Sequence, residues 1–137
     1  VCAAAVTDFK PKIKNENKIK KDKNIFNSIK FEKNYDILEY LGKNNKLKPK
    51  MLVGFSAETE NLIENSIKKF NQKYCDMIIA NDVSKKDFGF NVDYNKVSII
   101  TKGGKVENIP KNKKSFIAST IAYKIIDNFL IDDINTN

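Results

Sequence analysis

Two short apolar runs, Met51 to Phe55 and Met77 to Ala80, bracket a stretch in which Ile63, Ile67, Phe70 and Tyr74 recur at spacings of four, three and four residues. That period marks an amphipathic helix, whereas unbroken apolar runs of about four to eight residues fit strands covered on both faces. A strand, a helix and a strand in this order leave room for a crossover, so the two strands are expected to run parallel. Thr59 is the expected N-cap of the helix between them. This unit commits the chain to the α/β class.

The flanking segments extend the pattern. Cys2 to Val6 reads as a further short strand buried on both faces, followed by Asp8 and then by Lys10, Lys12, Lys14, Lys18, Lys20, Lys21 and Lys23. Uncompensated charge of that density keeps a segment open, so 10–24 is expected to be a mobile arm, with Ile25 to Phe31 returning as a short strand. Asn34 is the expected cap of a helix that buries Ile37, Leu38 and Leu41 and ends at Gly42. Val97 to Thr101 and Val106 to Ile109 flank a Lys-Gly-Gly-Lys sequence, and paired glycines there predict a hairpin. Ser115 to Ile131, with Ile117, Ile121, Ile125 and Phe129 along one drifting face, predicts a helix that covers the sheet, and 134–137 a frayed tail. The expected fold is a three-layer α/β sandwich around a mainly parallel sheet, Rossmann-like or ribokinase-like, with an antiparallel arm over 10–31.

At 137 residues and 41% hydrophobic content, the chain is about one domain long and able to fill a core. No apolar run approaches the roughly 18 residues of a membrane span, and cytoplasm is the expected setting. The net charge is +8, yet all 25 basic residues are Lys, and Arg, His and Trp are absent. Nucleic acid is not the expected partner, because Arg supplies most bidentate and stacking contacts at such sites. Without His there is no Ser-His-Asp or Cys-His chemistry. Cys2 and Cys75 form no C-x-x-C pair, so zinc is not expected and both are read as buried free thiols. Asp87-Phe88-Gly89 lacks every companion motif of a protein kinase, and the five glycines form neither Gly-x-Gly-x-x-Gly nor a Walker loop.

Five motifs occur in one order along more than half of the chain: Ala4-Ala-Val-Thr-Asp-Phe-Lys-Pro11, Lys18-Ile-Lys-Lys21, Asn34-Tyr-Asp-Ile-Leu38, Val53-Gly-Phe-Ser-Ala-Glu-Thr59 and Ala80-Asn-Asp-Val-Ser84. Together they resemble the phosphopantothenoylcysteine synthetase family (phosphopantothenate-cysteine ligases), usually fused behind a flavin-dependent decarboxylase. Where that family has Pro in Asn-Pro-Asp-Ile-Leu, this chain has Tyr35. The family's upstream Gly-Gly-Thr and Ser-Ser-Gly segments do not occur in the sequence. Residues 1–133 are therefore expected to be the carboxyl-terminal part of a ligase domain.

The resemblance implies a ligase of EC class 6 that uses CTP and Mg²⁺ to join 4'-phosphopantothenate to cysteine through an acyl-cytidylate. It implies a homodimer or larger assembly, with FMN confined to a fused decarboxylase outside this chain. On the same ground the nucleotide contacts are Cys2, Ala3, Ala4, Asp8, Lys18, Tyr35, Asp36, Ile37, Leu38, Phe55, Lys69 and Lys73. Lys18 is the catalytic residue, Ala4 and Ala5 line the substrate, and Asn81 with Asp82 supports the site; no protein-bound metal is implied. Read alone, Asn34 is a helix cap, Lys69 and Lys73 are a solvated i, i+4 pair, Phe55 is a core residue and Asp8 caps a turn. A noncatalytic basic module that binds nucleotide or nucleic acid, or merely dimerises, is the competing reading.

Overall fold

The computed structural model describes residues 1–14, 16–17, 29–84 and 92–134, with side chains of the last helix described as far as residue 128. Two compact units emerge, Ala4–Ile37 and a larger one made of Val1–Ala3 with Leu38–Asn137. The smaller is an antiparallel ribbon of β1 (Phe9–Pro11) and β2 (Phe31–Lys33), in register from Phe9 opposite Lys33 to Pro11 opposite Phe31. The Lys12 amide extends the ladder to the Lys30 carbonyl at 2.8 Å. This is the expected antiparallel excursion, its return strand lying at 31–33; residues 25–28 and 18–24 lie outside the described residues.

The larger unit contains α1 (Ile37–Lys43), β3 (Val53–Glu58), α2 (Leu62–Gln72), β4 (Met77–Asp82), β5 (Tyr94–Thr101), β6 (Val106–Lys113) and α3 (Lys114–Ile134). Its sheet has the order β3-β4-β5-β6. β3 and β4 run parallel, with Val53 opposite Met77 and Glu58 opposite Asp82, as the crossover requires. The other two pairings are antiparallel, so the four strands form a mixed sheet in place of a mainly parallel one. One of these two pairings, β5 with β6, comes from the hairpin predicted at Gly103 and Gly104, which adopt φ of 76° and 73°, a left-handed conformation that glycine enters without a Cβ penalty.

Strand alternation sorts the apolar residues into two layers. Met77 and Ile79 join Val53, Val97, Ile99, Ile109, Ile117 and Ile121 on the side covered by α3. Ile78 and Ala80 face the opposite way, joining Leu38, Leu52, Cys75 and Ile100, with Ile67 and Phe70 of α2 packed against them. Met77, Ile78, Ile79 and Ile100 are wholly buried. Helices on both faces of the sheet give the three-layer sandwich. No helix among the described residues is long and apolar enough to cross a membrane.

Four local expectations need correction. Cys2 to Val6 is not a buried strand: only Cys2 pairs, its amide donating to the Val53 carbonyl at 2.8 Å, and 3–6 are exposed. Alanine methyls bury too little apolar area to hold such a segment down. Thr59 does not cap α2; Asn61 stands at the N-cap with φ 48° and ψ 39° and makes no side-chain capping bond. Gly42 does not end α1 but lies inside it, because a Cβ at that position would sit 1.9 Å from the Lys73 carbonyl oxygen. Gly42 is where α1 touches the end of α2. Tyr74, expected on the buried stripe of α2, lies beyond the helix at φ 54° and is exposed.

Gly42→Ala is predicted to destabilise the fold by about 1–3 kcal/mol, since neither the Lys73 backbone nor Tyr74 can yield without moving α2. Urea unfolding measures this, and a midpoint equal to that of the parent would show that the two helices do not meet as described.

Candidate functional site

Parallel strands leave a crevice at their carboxyl ends where open α/β sheets hold ligands. Here those ends carry Phe55, Ser56 and Glu58 from β3 and Asn81 and Asp82 from β4, with Ala57 opposite Asn81 in register. Ser56 and Glu58 share a face, so the buried Ser56 hydroxyl donates to Glu58 Oε1 at 2.7 Å, and Asn65 Nδ2 of α2 reaches Glu58 Oε2 at 3.4 Å. The Asp82 carboxylate accepts from the Ser84 hydroxyl at 2.6 Å and from the Ser84 amide at 3.0 Å, fixing the turn after β4. Asn81 Oδ1 is buried with no hydrogen-bond partner among the described residues.

Phe55 splits its two functions between the faces of the sheet. Its ring packs with the α3 layer and lines an apolar cavity of about 360 Å³ together with Asn95, Val97, Ile117, Ile121 and Ile125. Its carbonyl accepts from Lys69 Nζ of α2 at 2.9 Å. Leu38 is buried with its side chain against Gly54, leaving its backbone as the part able to meet a ligand.

Lys73, one turn beyond Lys69, does not share the Phe55 carbonyl. Its Nζ lies 2.6 Å from Glu39 Oε2 of α1, while Lys43 Nζ lies 2.5 Å from Glu39 Oε1. The carboxylate is thus clasped by two ammonium groups, and its pKa falls to about 2, chiefly through the Lys43 hydrogen bond and then through Lys73. The same contact raises the pKa of Lys43. Burial pushes the Cys75 thiol up to about 11, with Asp76 adding to the shift, so it stays protonated and inert at neutral pH. Cys2, expected to be buried, is half-exposed.

In the smaller unit, Asn34 joins the ends of the ribbon instead of capping a helix. Its amide donates to the Asp8 carbonyl at 2.7 Å, its Nδ2 to the Thr7 carbonyl at 3.1 Å, and its Oδ1 accepts from the Tyr35 amide at 3.0 Å. Asp8 and Tyr35 are thereby brought to one end of the ribbon, with the Tyr35 ring 78% exposed. Asp36 precedes the first residue of α1, and Ala4 and Ala5 are exposed. Lys18 and Asp87 to Gly89 lie outside the described residues.

The larger unit accordingly places Asn81 and Asp82 at the carboxyl ends of the parallel strands, Lys69 against Phe55 at mid-strand, and Leu38 and Lys73 toward the amino ends, where α1 holds Lys73. Two residues near these positions escaped the sequence reading. Glu39 was legible in part, as the acidic member of an i, i+4 pair with Lys43; its link to Lys73, thirty-four positions away, was not. Glu58 had only its alternation with Ser56 to mark it.

A family model described as the DNA/pantothenate metabolism flavoprotein C-terminal domain matches residues 1–129. The chain is similar to the coenzyme A biosynthesis bifunctional protein CoaBC of Borreliella burgdorferi, 44% identical over 87% of this chain and 29% of that protein. It is 37% identical to the CoaBC of Bacillus subtilis over 89% of this chain and again 29% of the relative. A crystal structure of the C-terminal domain of CoaBC superposes with a TM-score of 0.67 and 31% identity, covering 95% of this chain and 53% of that one. The chain thus spans under a third of these curated relatives and about half of the solved domain.

The clasp makes a titration prediction. Glu39 is expected to titrate near pH 2 in the folded chain, and near its ordinary 4.5 when unfolded. Its stabilising effect is therefore complete above about pH 4.5 and disappears as the pH falls toward 2. Carboxyl-detected NMR should find this midpoint in the parent and a clear rise in Lys73→Met; a parent midpoint near 4.5 would mean the clasp does not form.

Proposed function

Because the chain belongs to the DNA/pantothenate metabolism flavoprotein C-terminal domain family, we propose that it is part of a phosphopantothenate-cysteine ligase of coenzyme A biosynthesis. Two relatives named as coenzyme A biosynthesis proteins support this reading. The observation that carries it is the meeting of Lys69 with Phe55 midway along the parallel pair, both residues matching nucleotide contacts of the ligase.

The reaction runs in two steps. A carboxylate oxygen of 4'-phosphopantothenate attacks the α-phosphorus of CTP, the bond to the β-phosphate breaks, and pyrophosphate leaves. The amine of free cysteine then attacks the acyl carbon, CMP leaves, and the amine gives up a proton. Such chemistry asks a protein to position reactants and to neutralise charge on phosphate, which lysines do without histidine. Lys69 and Lys73 take phosphate oxygens, and Lys18 stabilises the phosphorus centre under attack. By the resemblance, Tyr35, Asp36, Ile37 and Leu38 meet the triphosphate, Cys2, Ala3, Ala4, Asp8 and Phe55 are further nucleotide contacts, and Ala4 and Ala5 are the small-residue wall beside the acyl group. Asn81, whose buried oxygen has no partner among the described residues, and Asp82 support the floor.

Mg²⁺ would be carried by the CTP phosphates and would offset their charge. By the resemblance, the lysine-rich arm over 10–31 contributes to contacts in a homodimer or larger assembly, and the enzyme works in the cytoplasm. Any FMN belongs to a decarboxylase part of the longer relatives.

Lys69→Ala and Lys73→Ala, made in the full-length gene product, are predicted to weaken CTP binding roughly tenfold or more, as loss of a charge-assisted contact of about 1.5–3 kcal/mol requires. Lys18→Ala is predicted to slow pyrophosphate release at saturating CTP by a similar factor. Isothermal titration should also show preference for CTP over ATP and over single-stranded DNA; preference for the DNA would favour a basic binding module, and undiminished CTP binding by both α2 variants would remove that helix from the site.

A further inference from the structure

Glu39 belongs to no motif that carries the family resemblance, yet it holds one of the two α2 lysines. The geometry of that contact is constrained from several sides. Lys73 is the C-cap residue of α2, its side chain is only 17% exposed, and its carbonyl lies against Gly42, one turn after Glu39 on α1. The spacing of the two helices is therefore fixed by backbone contact, and neither the carboxylate nor the ammonium has much room to drift. Lys69 differs in kind, since its partner is the neutral Phe55 carbonyl.

We propose that Glu39 is a built-in counter-ion that competes with nucleotide phosphate for Lys73 and so sets the affinity of the polyphosphate subsite. The proposal rests on the nucleotide-binding reading above. A phosphate oxygen can join Lys69 without displacing a charge, because an ammonium has three donors and a carbonyl repels it little. At Lys73 the same oxygen meets a carboxylate already 2.6 Å from Nζ, and must either displace it or sit beside a like charge. Lys43 completes the device: it stays 2.5 Å from the other carboxylate oxygen and can keep Glu39 when Lys73 lets go. The exchange makes no covalent bond and is reversible, so the same competition acts on departing pyrophosphate.

Glu39→Gln keeps the shape of the side chain and removes its charge. In the full-length gene product it is expected to tighten binding of both CTP and inorganic tripolyphosphate by about two- to fivefold, the scale of a partly exposed ion pair. In a Lys73→Met background that gain should vanish. Lys43→Gln, which removes one of the two ammonium groups that share the carboxylate, should weaken both ligands, so the two single variants must move in opposite directions whatever small loss of stability each brings. Unchanged or weaker binding by Glu39→Gln would overturn the proposal, as would a gain that survives Lys73→Met. A parent protein that binds neither probe sinks the nucleotide-binding reading and this proposal with it; one that binds both while Glu39→Gln gains nothing sinks only the proposal.

Discussion

The parallel alignment of β3 with β4 is the constraint on which the rest of the larger unit depends. Parallel strands cannot be joined by a tight turn, so the chain must climb one face of the sheet and return, and α2 is that return path. Once α2 lies on the face of Ile78 and Ala80, its first turn lies beside the carboxyl ends of both strands and its last turn beside their amino ends. Lys69 then reaches the Phe55 carbonyl as a consequence of topology. The β5–β6 hairpin completes the sheet on the far side of β4, leaving that crevice end to β3, β4 and α2.

Close approach of α1 to α2 is the second determinant, and it is made by the absence of a side chain. Gly42 admits the Lys73 carbonyl, and Gly54 likewise admits the Leu38 side chain, which a Cβ would meet at 2.6 Å. With α1 seated in this way, Glu39 projects between Lys43 and Lys73. Charge and packing are thus coupled: the helix contact that buries Leu38 also decides which anion Lys73 meets first. On the opposite face α3 buries Ile117 and Ile121 while Phe116, Tyr123 and Ile126 stay exposed.

Most elements of the larger unit were legible because each rests on local chemistry. The Met77 to Ala80 run, the α2 stripe of Ile67 and Phe70, and the Gly103-Gly104 turn all announce themselves within a few residues. What escaped is nonlocal. The role of Gly42 depends on a carbonyl thirty-one positions later, and nothing in its neighbours separates a close-contact glycine from a helix-ending one. Asn61 caps α2 through a left-handed backbone that its side chain does not advertise, so Thr59 was the natural choice two positions earlier. Cys2 to Val6 misled because small apolar residues resemble a buried strand in sequence while burying little in the fold. Most candidate residues stand in the five motifs, whereas the clasp on Glu39 was not legible, because only tertiary packing joins its ends.

The chemistry proposed for these residues predicts which phosphorus of CTP is attacked. Phosphorus NMR of the full-length gene product, supplied with 4'-phosphopantothenate, cysteine and CTP, reads this directly. The expected result is CMP and pyrophosphate appearing in step with the amide product. CDP and orthophosphate in their place would mean activation at the γ-phosphorus, and an unaltered CTP spectrum would contradict the ligase assignment itself.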